Sequence, residues 1–161
     1  MLKTLKLVTI LLIFIPYRLI AEETHTSIDQ AFQLADAQGI KNSPTWVKIW
    51  LLVANLSFFS SLWFVKNLKA PRWLAAGFAG SVISQIFLST IVGVTPVYGM
   101  FATTHILFWS PGYIKLIKEK AYKHPKSRYA MWSSWMIAVI SFSFIFDLRN
   151  SIIYIEQILK F

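Results

Sequence analysis

The sequence contains no cysteine. Disulfides, thiolate metal sites, iron–sulfur clusters and cysteine nucleophiles are therefore excluded within this chain. Charge is also scarce: 14% of residues are Asp, Glu, Lys or Arg, against about 25% in an ordinary globular domain. Histidine occurs only at positions 25, 105 and 124. There is no phosphate-cradling glycine loop, no HExxH zinc motif and no GxSxG nucleophile elbow. Nothing here points to an enzyme, and no cofactor is expected.

What the sequence has instead is apolar length. Hydrophobic residues make up 56% of the chain, and uncharged runs cover residues 49–65, 73–94, 97–114 and 129–146. A membrane-spanning helix needs about 20 predominantly apolar residues, with ~17 as the lower end. Soluble bundle helices would show polar residues recurring on one face at the helical period, and these runs do not. The expected fold is all-α: a polytopic membrane protein with a four-helix transmembrane bundle and short amphipathic helices on its outer face. Bilayer lipid is thus the first expected partner.

A net charge of +9 would fit a nucleic-acid binder if the basic residues covered one face. They do not. Lys66, Lys69 and Arg72 join the first two runs, and Lys115, Lys118, Lys120, Lys123, Lys126 and Arg128 join the last two. These are the short basic connections that mark cytoplasmic loops. Glu22, Glu23, Asp29, Asp36, Asp147 and Glu156 fall on the opposite side, leaving Glu119 alone among the lysines. No nucleic-acid partner is expected, whereas anionic lipid head groups suit the basic loops. The implied location is a bacterial inner (cytoplasmic) membrane, with both ends of the bundle segment's chain outside.

Residues 1–21 read as a signal peptide: Lys3 and Lys6, then an apolar core, then Ala21 as a small cleavage residue. An uncleaved anchor is the rival, since Arg18 and Leu19 suit a cleavage site poorly. Residues 22–45 form an outer segment with an amphipathic helix at 27–39. Ser27 and Gln30 make its capping box, Ile28, Ala31, Phe32 and Ala35 its apolar stripe, and Gly39 its C-terminal cap. That helix either rests on the bilayer or docks a partner. The transmembrane domain takes residues 46–148, opened by Ser43 as N-cap and Pro44 at the first helical position. Residues 149–161 form an outer interfacial tail, apolar at Ile152, Ile155, Ile158 and Leu159. Tryptophans at 46, 50, 63, 73, 132 and 135 lie near the ends of the runs, where indoles anchor to the interface.

Polar side chains at membrane depth are the best functional pointers, because leaving them in hydrocarbon is costly. Counting inward from the outer ends, Asn55, Gln85, His105 and Ser141 fall at roughly 10–14 Å. All four helices thus bring a hydrogen-bonding group to one level. This layer is either interhelical glue or a substrate site. Glue is supported by small residues every four positions, at Ala76, Gly80 and Ser84 and at Gly77, Ser81 and Gln85. His105 can bind metal, shuttle protons or ligate haem. The other two histidines lie outside the spans, so a bis-histidine haem or multi-histidine metal site within one chain is excluded. Pro111 removes a backbone hydrogen bond from the same helix. Ser143, Asp147 and Asn150 share a face, and Asp147 with Arg149 forms a candidate outer-entrance pair, either a structural anchor or a cation entry site.

Three functions follow as expectations. The first is a structural or accessory subunit that binds itself or other membrane proteins. The second is a small oligomeric transporter or channel around His105. The third is a lipid-directed enzyme with His105 as acid or base, for which no reacting partner can be named.

Overall fold

The computed structural model describes residues 31, 32, 35, 37–66, 68–123 and 127–160. The signal-peptide segment and the capping box of the first amphipathic helix lie outside the described residues. Five α-helices occur among those described, with no strand: α1 (Ala37–Asn42), α2 (Thr45–Ser60), α3 (Lys69–Thr90), α4 (Tyr98–Glu119) and α5 (Arg128–Ile158). A 3-10 turn, Ser61–Phe64, extends α2. Three helical stretches are long and apolar enough to cross a membrane: Thr45–Phe64, Lys69–Thr90 and Arg128–Ile158. Helix α4 matches them in length but carries Thr103, Thr104, His105, Ser110 and Pro111. It can be more polar because it packs extensively against α3 on one side and α5 on the other.

Helix packing explains the small residues. A Cβ on Gly77 would come within 2.2 Å of the Phe108 carbonyl oxygen, and one on Gly112 within 2.7 Å of Leu74. Only glycine lets α3 and α4 approach this closely. Phe58, Leu74, Trp109, Leu116, Met136 and Ile140 fill the core between the helices. Helix α2 touches the rest more sparingly. It is tied at its lower part by two indoles of α5: Trp132 donates to Ser60 (2.8 Å) and Trp135 to Ser57 (2.8 Å).

The end that carries Lys66, Lys69, Lys118 and Lys120 is called here the basic end. There Glu119 joins three helices: it accepts from the Ala70 N–H of α3 at 3.0 Å and from the Tyr129 hydroxyl of α5. The Lys115 ammonium sits 5.3 Å over the Trp73 ring, a cation–π contact.

Several boundaries differ from the sequence expectation. No break occurs at residue 148: α5 continues for 31 residues, so residues 149–158 extend the last long helix rather than form a separate tail. Neither Arg149 nor Asn150 stops a helix, and no Pro or Gly follows to end it. The apolar period at Ile152, Ile155 and Ile158 leaves these side chains on the exposed surface of that extension. The amphipathic helix expected at 27–39 is interrupted, because Ala35 is outside any helix and Gly39 lies within α1 instead of capping. Ser43 is not the N-cap of α2. That position falls to an extended Pro44, while the Ser43 hydroxyl donates to the Gly39 carbonyl (3.0 Å) and meets the Tyr98 hydroxyl (2.9 Å). Trp132 is buried and Trp135 hydrogen-bonded between helices, so both join helices as well as marking an end.

Candidate functional site

At the end opposite the basic one, α2 stands away from α3, α4 and α5 and leaves a cavity of about 1210 Å³. Its walls follow from helical spacing, since residues four apart share a face. Trp46 and Trp50 of α2 confront Phe142 and Phe146 of α5, with ring centroids 5.9 Å apart for Trp46–Phe146 and 4.4 Å for Trp50–Phe142. On α4 the same spacing aligns Phe101, His105 and Trp109. The His105 imidazole lies flat on the Trp109 indole, centroids 4.0 Å apart at 15°, and Phe101 presents an edge to it. Trp109 is fixed in turn: its indole N–H donates to Ser81 at 3.2 Å, and Phe58 packs on its other contacts at 4.3 Å. Residues of α1 and the turn after it, Gly39, Ile40, Asn42 and Ser43, border the cavity as well.

His105 and Asp147 form the polar centre. Nδ1 of His105 is 3.4 Å from Oδ2 of Asp147, close enough for an ion pair when the imidazole is protonated. The geometry is not that of a hydrogen bond, and Oδ2 is buried without a hydrogen-bond partner. Among the described residues it shares that condition only with the Ser133 hydroxyl. A carboxylate oxygen withdrawn from water in an aromatic surround is costly unless something compensates it.

Of the four side chains expected at one depth, Asn55, Gln85 and His105 border this cavity and Ser141 does not. Ser141 turns to α4 on another side and meets the Tyr113 hydroxyl at 2.7 Å. Its place is taken by Ser143, two residues on. Asn55 donates to the Leu51 carbonyl of its own helix (2.6 Å), and Gln85 donates to the Thr104 hydroxyl of α4 (2.9 Å). Gln85 therefore serves as glue and as cavity wall together. Asp147, Arg149 and Asn150 all border the cavity, and the close partner of Asp147 is His105 across the helix interface. A one-sequence reading places the polar residues by depth. It misses the Trp–Phe walls, whose only signal was the i, i+4 spacing of Trp46 with Trp50 and of Phe142 with Phe146.

The chain matches no protein-family model, no curated protein and no solved structure. What the site can do must come from its chemistry. An imidazole and a carboxylate in van der Waals reach of each other can share a proton or hold a cation. No group of three or more His, Cys, Asp or Glu that could hold a metal ion occurs among the described residues.

Proposed function

We propose that this chain is a small multi-pass membrane protein that binds a small molecule in the cavity bordered by His105 and Asp147. One observation carries this reading: a cavity of about 1210 Å³ is walled by aromatic rings and holds a buried carboxylate oxygen with no hydrogen-bond partner. Pure interhelical glue satisfies its polar groups; this oxygen has no hydrogen-bond partner, and its residue borders the cavity.

The membrane arrangement in this proposal is four spans. Helix α4 has 22 residues, about 33 Å at 1.5 Å per residue, enough to cross a ~30 Å hydrocarbon core. Its polar groups turn to neighbours, Thr104 to Gln85 and Thr103 to Ser151, which supports a span shielded by α3 and α5. The basic end then lies in the cytoplasm of a bacterial inner membrane, beside anionic lipid, and the cavity faces outward. Binding is favoured over an open channel because the basic half is closed. Trp132–Ser60, Trp135–Ser57 and Tyr113–Ser141 bonds bridge the helices there.

The natural absence of cysteine provides the test. Single cysteines at Asn55, Gln85 and Ser143 are expected to react with a membrane-impermeant thiol reagent added outside, while Lys69→Cys reacts only from the inside. Cysteines at Ile83 and Leu107, exposed on the apolar surface and outside the cavity lining, remain unlabelled. Cavity positions inert from both sides would overturn the proposal.

A second reading, an accessory subunit that associates with itself or another membrane protein, has one observation in its favour. An apolar groove of about 310 Å³ between α2 and α3 has Ala75 and Ala79 at its base, flanked by Phe59, Leu62 and Ile83. Small residues four apart let a second helix approach closely. Native size in mild detergent decides it: a monodisperse monomer with no co-purifying chain removes this reading.

A further inference from the structure

Beyond the existence of a ligand cavity, its chemistry selects among ligand classes. We infer that the occupant is a small organic cation, an alkyl- or aryl-substituted ammonium, held with its charge at Asp147 and its apolar body against the rings of Trp46, Trp50, Phe101 and Phe146 that line the cavity. The inference rests on the cavity being a binding site, as proposed above.

Three features of the site converge on this class. The cavity's carboxylate oxygen is withdrawn from water and lacks a hydrogen-bond donor, so a positive group brought beside it recovers the most interaction. The walls are indole and phenyl rings, whose faces attract cations and above all the quaternary ammonium group. The cavity lining is otherwise mostly apolar, from Leu51, Leu52, Ala54 and Val82, which leaves room for hydrocarbon substituents and little to hydrate a bare metal ion. A metal ion would need several oxygen ligands, and Asp147 is the only carboxylate among the residues that line the cavity.

Two other side chains that can carry positive charge, His105 and Arg149, border the same cavity. They make an anionic ligand the serious competitor. The position of Asp147 argues against that competitor: its carboxylate stands 3.4 Å from the His105 imidazole, so an anion approaching His105 meets a like charge first. A cation approaching Asp147 instead meets a carboxylate beside an imidazole that lies flat on Trp109. Arg149 is two positions along α5 from Asp147, and residues two apart on a helix do not face each other.

The test uses the full-length protein in lipid nanodiscs and three probes of similar size: benzyltrimethylammonium, benzyl alcohol and benzenesulfonate. Binding is read by calorimetry, with quenching of tryptophan fluorescence as a second signal from Trp46, Trp50 and Trp109. The ammonium is expected to bind at least about tenfold more tightly than either comparator. Asp147→Asn, which keeps shape and removes charge, lowers ammonium affinity about tenfold or more and leaves benzyl alcohol unaffected. Trp50→Leu, which keeps an apolar wall without the ring face, lowers it about three- to tenfold. Tighter binding of benzenesulfonate, equal binding of all three probes, or an unchanged affinity in both variants overturns the organic-cation assignment. Each of those outcomes leaves the cavity reading intact if the cysteines at Asn55 and Gln85 are labelled. Inert cysteines together with no binding of any probe overturn both. The two variants act on different elements, so a folding defect in one leaves the other to decide.

Discussion

The two halves of this bundle use the same kinds of residue to opposite ends. In the basic half, serine and tyrosine hydroxyls, indole N–H groups and the single acidic side chain are matched across helices. Trp132 and Trp135 donate to Ser60 and Ser57, Tyr113 meets Ser141, and Glu119 joins α3 to α5. Helices α3 and α4 close to backbone contact at Gly77. In the cavity half, aromatic rings line open space in place of filling it, and Asp147 keeps an oxygen without a donor. Ser133 is the exception in the basic half, a lone hydroxyl with no partner. A buried hydroxyl left unpaired costs far less than an ionised carboxylate. The contrast separates a half whose polar groups join the helices from one that borders a cavity and leaves a buried carboxylate oxygen without a hydrogen-bond partner.

Substitutions can break this contrast, and the largest effect belongs to the closed half. Gly77→Val puts a side chain into the Phe108 carbonyl, where backbone cannot yield. It is expected to destabilise by about 3 kcal/mol or to prevent a monodisperse product, read by thermal unfolding and size-exclusion in detergent. Next is Glu119→Ala, which strips partners from the Ala70 N–H and the Tyr129 hydroxyl. A loss of about 2 kcal/mol follows, with much of it recovered in Glu119→Gln, which keeps an acceptor oxygen. Trp135→Phe keeps the ring and removes one indole donor to Ser57, for about 1 kcal/mol. Its signature is increased proteolytic access to α2 with α3–α4 packing unchanged. The smallest effect is predicted for the open half. Asp147→Asn keeps the shape and removes a buried carboxyl group whose Oδ2 has no hydrogen-bond partner, so stability stays within about 0.5 kcal/mol or rises. A loss of 2 kcal/mol or more there would show that Asp147 belongs to the glue and would erase the difference between the halves.

The helical class and three long apolar helices were legible in the sequence because charge-free length needs no tertiary information. The uncharged run at 129–146 marked the body of α5 but not its end. Arg149 and Asn150 look like a water boundary, yet a helix is ended by a cap, Pro or Gly, and α5 has none of these before Ile158. Ser43 shows the same limit. Its position before Pro44 fits an N-cap, and only the tertiary neighbour Tyr98 reveals the other use of its hydroxyl. In the site, depth along each helix was countable, which brought Asn55, Gln85 and His105 to one level. Rotation about each axis was not countable, so Ser141 was grouped with them while it faces Tyr113. The tryptophans at 132 and 135 were read from position as interface anchors; that they also donate to serines depends on which face α2 turns toward them. The pairing of His105 with Asp147 joins residues 42 positions apart and has no local signal.

Helix α5 spans 31 residues, about 46 Å at 1.5 Å per residue, against a hydrocarbon core of ~30 Å. In a bilayer that excess is taken up by tilt or by projection into the interface. The helix also carries Phe146 and Asp147, which border the cavity, and is pinned to α4 near its far end where Thr103 meets Ser151 at 3.0 Å. A thinner membrane is expected to tilt α5 further while that pin holds, and so to change the separation of Trp46 and Phe146. The acyl-chain length of the surrounding lipid is thereby expected to act on the width of the cavity.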